Sequence, residues 1–191
     1  MKVRSIRLTP RERILVAAQE LFSTEGLRRV TVDAIAERAD TTKMAVYRHF
    51  ASKEALVGEW LAVLIAQYNG EFDRLALEHP GDARVQLKGW VRFVTDSLPG
   101  LSYRGCPFVN SLAELPDRDD PIRQQIEHHK ARQTSRIIEL CIEAGLPEPD
   151  IAAAQLILLL EGAQITAHNG SAVEVQKYLR VIVGRLLEAH V

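Results

Sequence analysis

The stretch "TTKMAVYRHFASKEAL", residues 41–56, crowds hydroxyls, cations and two aromatic rings into 16 residues. Wound as a helix, it sets Thr42, Lys43, Ala45, Tyr47 and Arg48 on one exposed side. Those groups suit an anionic, hydrogen-bonding polymer. Tyr47 can give its hydroxyl to a phosphate while its ring rests on the backbone, and Lys43 can reach a phosphate or a guanine edge. Thr42 can bond a phosphate through its side chain or the helix amino end. Met44 offers an apolar side chain to a thymine methyl, whereas Ala45 has no hydroxyl to offer. Arg48 and His49 flank the tyrosine, and Ser52-Lys53 opens the next helix with a positive side chain beside the same backbone. Phe50, three residues after Tyr47, is expected to turn inward against Leu21, Phe22 and Ile35. A plain solvated helix face has a similar composition, so the elements around it decide between the two readings.

Other residues that could do chemistry form weaker patterns. Cys106 stands between Gly105 and Pro107 where a helix begins, near Arg104; a thiol there can be acidified into an oxidant or electrophile sensor with Cys141 as a partner, or can be a small buried side chain. His128 and His129 are adjacent and point about 100° apart on a helix, unlike the i, i+4 pair that zinc uses. Asp117, Asp119 and Asp120 sit between prolines in a solvated loop. There is no Cys-x-x-Cys, His-Glu-x-x-His, phosphate-cradling glycine loop or Gly-x-Ser-x-Gly. The chain is therefore expected not to be an enzyme, and to carry neither metal nor cofactor.

The elements that position these groups are helical throughout. Apolar residues recur at three- and four-residue steps, and strand-like alternation is nearly absent over the 191 residues. Thr9-Pro10-Arg11-Glu12 reads as a capping box opening a first helix with Ile14, Ala17, Ala18, Leu21 and Phe22 on its apolar face; Gly26 stops it. Thr31 opens a short second helix that turns Val32, Ile35 and Ala36 inward and ends near Ala39. After a turn at Asp40-Thr41, Thr42 caps a third helix through Phe50, and Ser52 caps a long fourth. Helix, tight turn and helix outline a helix-turn-helix, whose second helix enters a major groove. Breakers divide the remainder into further helices, of which Asp150–His168 is apolar almost all round and Ser171–Ala189 repeats Val175, Leu179, Ile182 and Leu186. A monomer of this size has little interior for two such helices, so one face of the pair is expected to meet another protein.

Charge agrees with that division. The net charge of -1 conceals a basic head, 11 Lys and Arg against 8 Asp and Glu in residues 1–59, on an acidic remainder of 13 against 17. The arm Met1–Leu8, with Lys2, Arg4 and Arg7, can track a phosphate backbone or minor groove, or simply fray. Two cysteines and a start without an export-type apolar core point to the cytoplasm. The longest nearly uncharged apolar run, Ile151–Leu160, is ten residues, half of the roughly 20 that a bilayer crossing needs, so no membrane partner is expected.

Over roughly residues 9–60 the chain resembles the amino-terminal DNA-binding domain of the TetR family of bacterial transcriptional regulators. The resemblance is carried by Ala18, Leu21-Phe22 and Gly26, by Thr31-Val32 and Ile35-Ala36, and by the unbroken run Val46 to Leu56. The chain departs from the family where Gly-Val is common in the turn and Gly-Thr or Gly-Ser in the reading helix, having Asp40-Thr41 and Met44-Ala45 instead. The resemblance implies an all-α fold: an amino-terminal three-helix helix-turn-helix domain (1–52) and a larger helical ligand-binding and dimerisation domain (53–191). It implies a sequence-specific regulator, a repressor released from a double-stranded DNA operator by a small-molecule effector. The DNA-facing set is then Thr31, Thr42, Lys43, Met44, Ala45, Tyr47, Arg48, His49 and Lys53. Closing helices that form a homodimer bring Leu156, Leu159, Ala163, Leu179, Ile182 and Leu186 to the interface. The pocket such proteins enclose selects Tyr68, Trp90, Phe93, Tyr103, Cys106, Phe108, Asn110, His128, Glu161, Gln164 and His168 by position.

Overall fold

The computed structural model describes residues 8–98, 105–167 and 172–188. Among them are nine helices and no strand: α1 (Pro10–Glu25), α2 (Val32–Arg38), α3 (Lys43–His49), α4 (Lys53–Glu78), α5 (Ala83–Asp96), α6 (Pro107–Glu114), α7 (Pro121–Glu143), α8 (Pro149–Thr166) and α9 (Ala172–Glu188). The chain divides into two compact units, residues 1–63 and 64–191, so that the division falls within α4.

The first unit starts as its capping signals dictate. Thr9 Oγ1 accepts from the Glu12 amide at 3.3 Å and the Glu12 carboxylate accepts from the Thr9 amide at 2.7 Å, so both halves of the capping box form. Gly26 then closes α1 at φ 89°, a conformation that side chains rarely take. Ile14, Ala17, Ala18 and Phe22 of α1 are buried with Val32, Ile35 and Ala36 of α2 and Val46 of α3, while Leu21 is only half-buried. Phe50 is buried as its spacing predicts, with the Arg11 guanidinium 4.9 Å from its ring centroid. Trp60, 1% exposed, meets Phe22 at 5.4 Å.

The turn between α2 and α3 sets the angle of the third helix, and it closes by backbone bonding. The Thr41 amide donates to Ala36 O at 2.9 Å and the Asp40 amide to Glu37 O at 3.1 Å, the paired bonds of a Schellman ending. That motif places Asp40 in the left-handed region, φ 50°, where glycine is usual. Asp40→Gly is therefore expected to raise stability by about 0.5–1 kcal/mol and Asp40→Val to lower it by more than about 1 kcal/mol, as read by urea unfolding. Equal midpoints for all three proteins would contradict this account of the turn.

In the second unit α7 packs on α5 and α8, and α9 on α5 and α8. The core is aromatic: Phe72 stacks on Trp90 at 3.8 Å, and Tyr68 meets Trp90, Phe93 and Phe108 edge-on at 5.3–5.6 Å. A Cβ on Gly89 would collide with the end of the Leu75 side chain, so glycine there leaves room for Leu75 to pack against α5. Polar bonds hold α9 at both ends of α5, through Gln176 Nε2 to Thr95 O at 2.6 Å and Arg84 Nη1 to Leu187 O at 2.5 Å.

Candidate nucleic-acid interface and core cavity

Helix α3 is short because Thr42 and Phe50 cap it, and its two faces separate cleanly. Val46 and the capping Phe50 turn inward; Met44, 84% exposed, and Tyr47, 47% exposed, stand outside with Thr42, Lys43 and Arg48. Thr42 and Thr31 accept from the amides of Ala45 and Ala34, each at 3.2 Å. Both hydroxyls are thus committed as caps, yet each keeps a proton to donate outward. Ala45 and Lys53 are half-buried. His49 stands apart from the exposed set: it is half-buried, and its Nε2 is enclosed without a hydrogen-bond partner. Lys43 is not free either. Its Nζ lies 2.8 Å from Asp33 Oδ2 on α2, and that hydrogen bond and charge hold its pKa above the usual lysine value. The basic arm lies outside the described residues.

A second candidate site lies in the other unit. Tyr68, Cys106, Phe108, Glu161 and Gln164, expected to share a pocket, do line one cavity, together with Val94, Lys130, Gln133, Ile137, Ile157 and Leu160. Its free volume of about 20 Å³ admits roughly one water molecule. Lys130 Nζ and Glu161 Oε1 pair at 2.7 Å on its wall. Trp90 and Phe93 stand behind Tyr68 and do not line the space, Asn110 is half-buried on α6, and Tyr103 and His168 lie outside the described residues. His128 faces away, onto a surface groove with Asn69, Phe72 and Arg132. The inward histidine is its neighbour: His129, 4% exposed, meets Phe108 at 4.5 Å and Tyr68 at 5.8 Å, and its Nε2 has no partner. Burial, helped by the charges of Lys130 and Arg132, lowers its pKa to about 4.

Of the two readings of Cys106, an acidified sensor or a small buried side chain, the structure favours the second. The residue sits at the head of α6 but is 8% exposed, and burial raises its pKa; the amides of Val109 and Phe108 and the charge of Lys130 pull the other way without prevailing. No hydrogen bond of normal geometry caps the helix through its sulfur. Cys141 is buried too, and desolvation pushes its thiol up to about 11. At both sulfurs burial disfavours the thiolate form that oxidant sensing requires. Among the described residues no group of three His, Cys, Asp or Glu is placed to hold a metal ion.

Two family models cover these two units. That for bacterial regulatory proteins of the tetR family matches residues 14–59, and that for the tetracyclin repressor-like carboxy-terminal domain matches residues 84–179, about half of the chain. The chain belongs to the TetR family. It is a TetR-family transcriptional regulator, and relatives over most of its length agree. The HTH-type transcriptional regulator YjdC of Escherichia coli is 27% identical over 152 residues, 80% of either chain. The nucleoid occlusion factor SlmA of Photobacterium profundum is 28% identical over 160 residues, 80% of this chain and 81% of that one. A TetR-family transcriptional regulator from Streptomyces coelicolor superposes with a TM-score of 0.87 at 26% identity, covering 94% of this chain and 95% of that one.

For a TetR-family protein the outward face of the closing helices matters, and here the structure redistributes the residues expected at an interface. Leu156, Ala163 and Leu179 are buried within the single chain, Leu159 and Leu186 are half-buried, and Ile182 is 43% exposed. The large apolar side chains that do face outward are Ile151, Leu158 and Ile165 on α8 and Val173, Tyr178, Val181 and Ile182 on α9. Gly162 has open space where its Cβ would be. Periodicity alone does not single out Leu158 and Ile165, because α8 is apolar almost all round and its few polar residues point both inward and outward. No helix of the described residues is long and apolar enough to cross a membrane.

Proposed function

We propose that this TetR-family regulator is an operator-binding repressor that works as a twofold dimer in the cytoplasm and leaves its DNA when a small molecule occupies the cavity beside Tyr68. DNA reading belongs to residues 1–52 and effector binding and dimerisation to 53–191. The observation that carries the proposal is the two-sided α3: Thr42, Lys43, Met44, Tyr47 and Arg48 lie exposed on a helix whose other side is locked by Val46 and Phe50. A solvated face has no need of an exposed methionine and tyrosine beside paired cations, whereas a major groove uses both. Two such helices related by a dimer axis address successive grooves of a near-palindrome, where one short helix binds too weakly. The outward leucine and isoleucines of α8 and α9 supply the apolar surface for that axis.

The cavity supports effector control because its walls combine aromatic faces with an ion pair and an amide. With room for roughly one water it must open to admit a ligand, and such opening is how occupancy changes the structure. Relatives vary in role: one curated relative is named an activator, FasR of Mycolicibacterium smegmatis, 35% identical over 88 residues.

Gel shift with the duplex flanking the protein's own gene tests the reading. Tyr47→Ala is expected to weaken binding by about ten-fold or more across operator variants alike, since it removes a backbone contact and not a base contact. A Tyr47→Ala protein that is folded, dimeric and as tight as the parent would remove the central claim. A screen for thermal stabilisation identifies the effector, since a ligand of the native state raises the melting temperature.

A further inference from the structure

We propose that Asp33 is a built-in competitor for DNA phosphate, lowering DNA affinity by holding Lys43 in the unbound protein. The inference rests on α3 being the reading helix. Lys43 opens α3 and Asp33 is the second residue of α2, so their 2.8 Å contact ties the cation at the edge of the reading face to a carboxylate on the neighbouring helix. Arg48, exposed on the same helix, makes no ion pair among the described residues. The other cross-helix pairs of this unit, Arg11 with Glu59 and Arg38 with Glu20, involve no α3 residue. Lys43 is thus singled out on α3.

The pair is open to exchange, its side chains being 52% and 66% exposed. A phosphate oxygen that takes Lys43 must compete with the Asp33 carboxylate for the ammonium, displacing the carboxylate or sharing the three N–H donors with it. Displaced or not, that carboxylate remains as a second anion beside the first turn of α3 and offsets the charge that Lys43 brings to the DNA. Both effects oppose binding without touching a base, so they apply to operator and random duplex alike. An exposed pair holds its lysine by at most a factor of about five, which a twofold complex squares to about 25. The same contact has a competing purpose, as a staple joining α2 to α3, and that purpose predicts the opposite sign on removal.

Asp33→Asn keeps shape and removes the charge. Binding of parent, Asp33→Asn, Lys43→Ala and the double variant is measured by fluorescence anisotropy on the duplex flanking the gene and on a random duplex, over a range of salt. The expected result is about 5- to 25-fold tighter binding of both duplexes by Asp33→Asn at about 0.1 M salt. A salt slope steeper by about one per subunit should accompany it. The gain should vanish in the Lys43→Ala background, with melting temperatures within a few degrees of one another. Affinity equal to the parent overturns the inference, and weaker binding with a lowered melting temperature shows the pair to be a staple. A gain that persists without Lys43 also overturns it. A parent that binds neither duplex overturns the DNA-binding reading itself, an outcome distinct from these.

Discussion

Glutamate at both Leu158 and Ile182 is expected to convert the proposed dimer into a folded monomer whose operator affinity is lower by about a hundred-fold or more. Leu158 is 70% exposed and Ile182 43% exposed, so neither substitution removes packing that the single chain depends on. Each instead places a charge on the apolar surface that a second copy must cover, and like charges then face one another across a twofold axis. Loss of the dimer halves the contacts to a near-palindrome. The contrasting pair, Leu156 and Leu179, is 1% and 3% exposed. Glutamate there forfeits about 1.5–3 kcal/mol of burial at each position and encloses an unpaired charge, against a typical total stability of about 5–15 kcal/mol. That variant should be unfolded rather than monomeric. Light scattering, circular dichroism and gel shift on the two variants separate the cases. A Leu158/Ile182 variant still dimeric at micromolar concentration would show that the interface lies elsewhere.

Acid should destabilise the second unit through His129. Its pKa is about 4 in the folded chain, because burial disfavours the imidazolium and Lys130 and Arg132 repel it, against about 6.5 in an unfolded chain. Between these values the unfolded state binds the extra proton. The stabilisation is therefore complete above about pH 6.5 and is lost progressively as pH falls towards 4, amounting to about 3 kcal/mol in all. Carboxylates begin to titrate at the lower end, so the informative quantity is the difference between the parent and His129→Phe, which keeps a ring against Phe108 and Tyr68. Urea unfolding at pH 7 and pH 4.5 should show the parent losing about 2–3 kcal/mol more than the variant. Parallel losses would mean that the imidazole is solvated in the folded chain.

The local sequence was enough to determine the parts whose physics is local. Thr9-Pro10-Arg11-Glu12, Thr31, Thr42 and Ser52 announce helix starts because a hydroxyl can satisfy an amide two or three residues on, whatever lies elsewhere in the chain. The all-α class followed from the three- and four-residue recurrence of apolar side chains, and the outward set on α3 from the same period applied between two caps. Only the tertiary structure decided which side of an all-apolar helix faces in. On α8 the few polar residues point both ways, Gln155 being exposed while Gln164 is buried and Glu161 pairs with Lys130, so the packing of α7 and α9 against that helix determines which leucine is covered. It likewise turned His129 inward and His128 outward, residues that adjacency on a helix separates by about 100° but does not orient. Cys106 carried the local signs of an acidified thiol, and burial reversed the shift, because desolvation depends on every atom packed around the sulfur. The tie between Lys43 and Asp33 was equally hidden: the residues are ten apart, and only the angle that Asp40 imposes between α2 and α3 brings ammonium and carboxylate together.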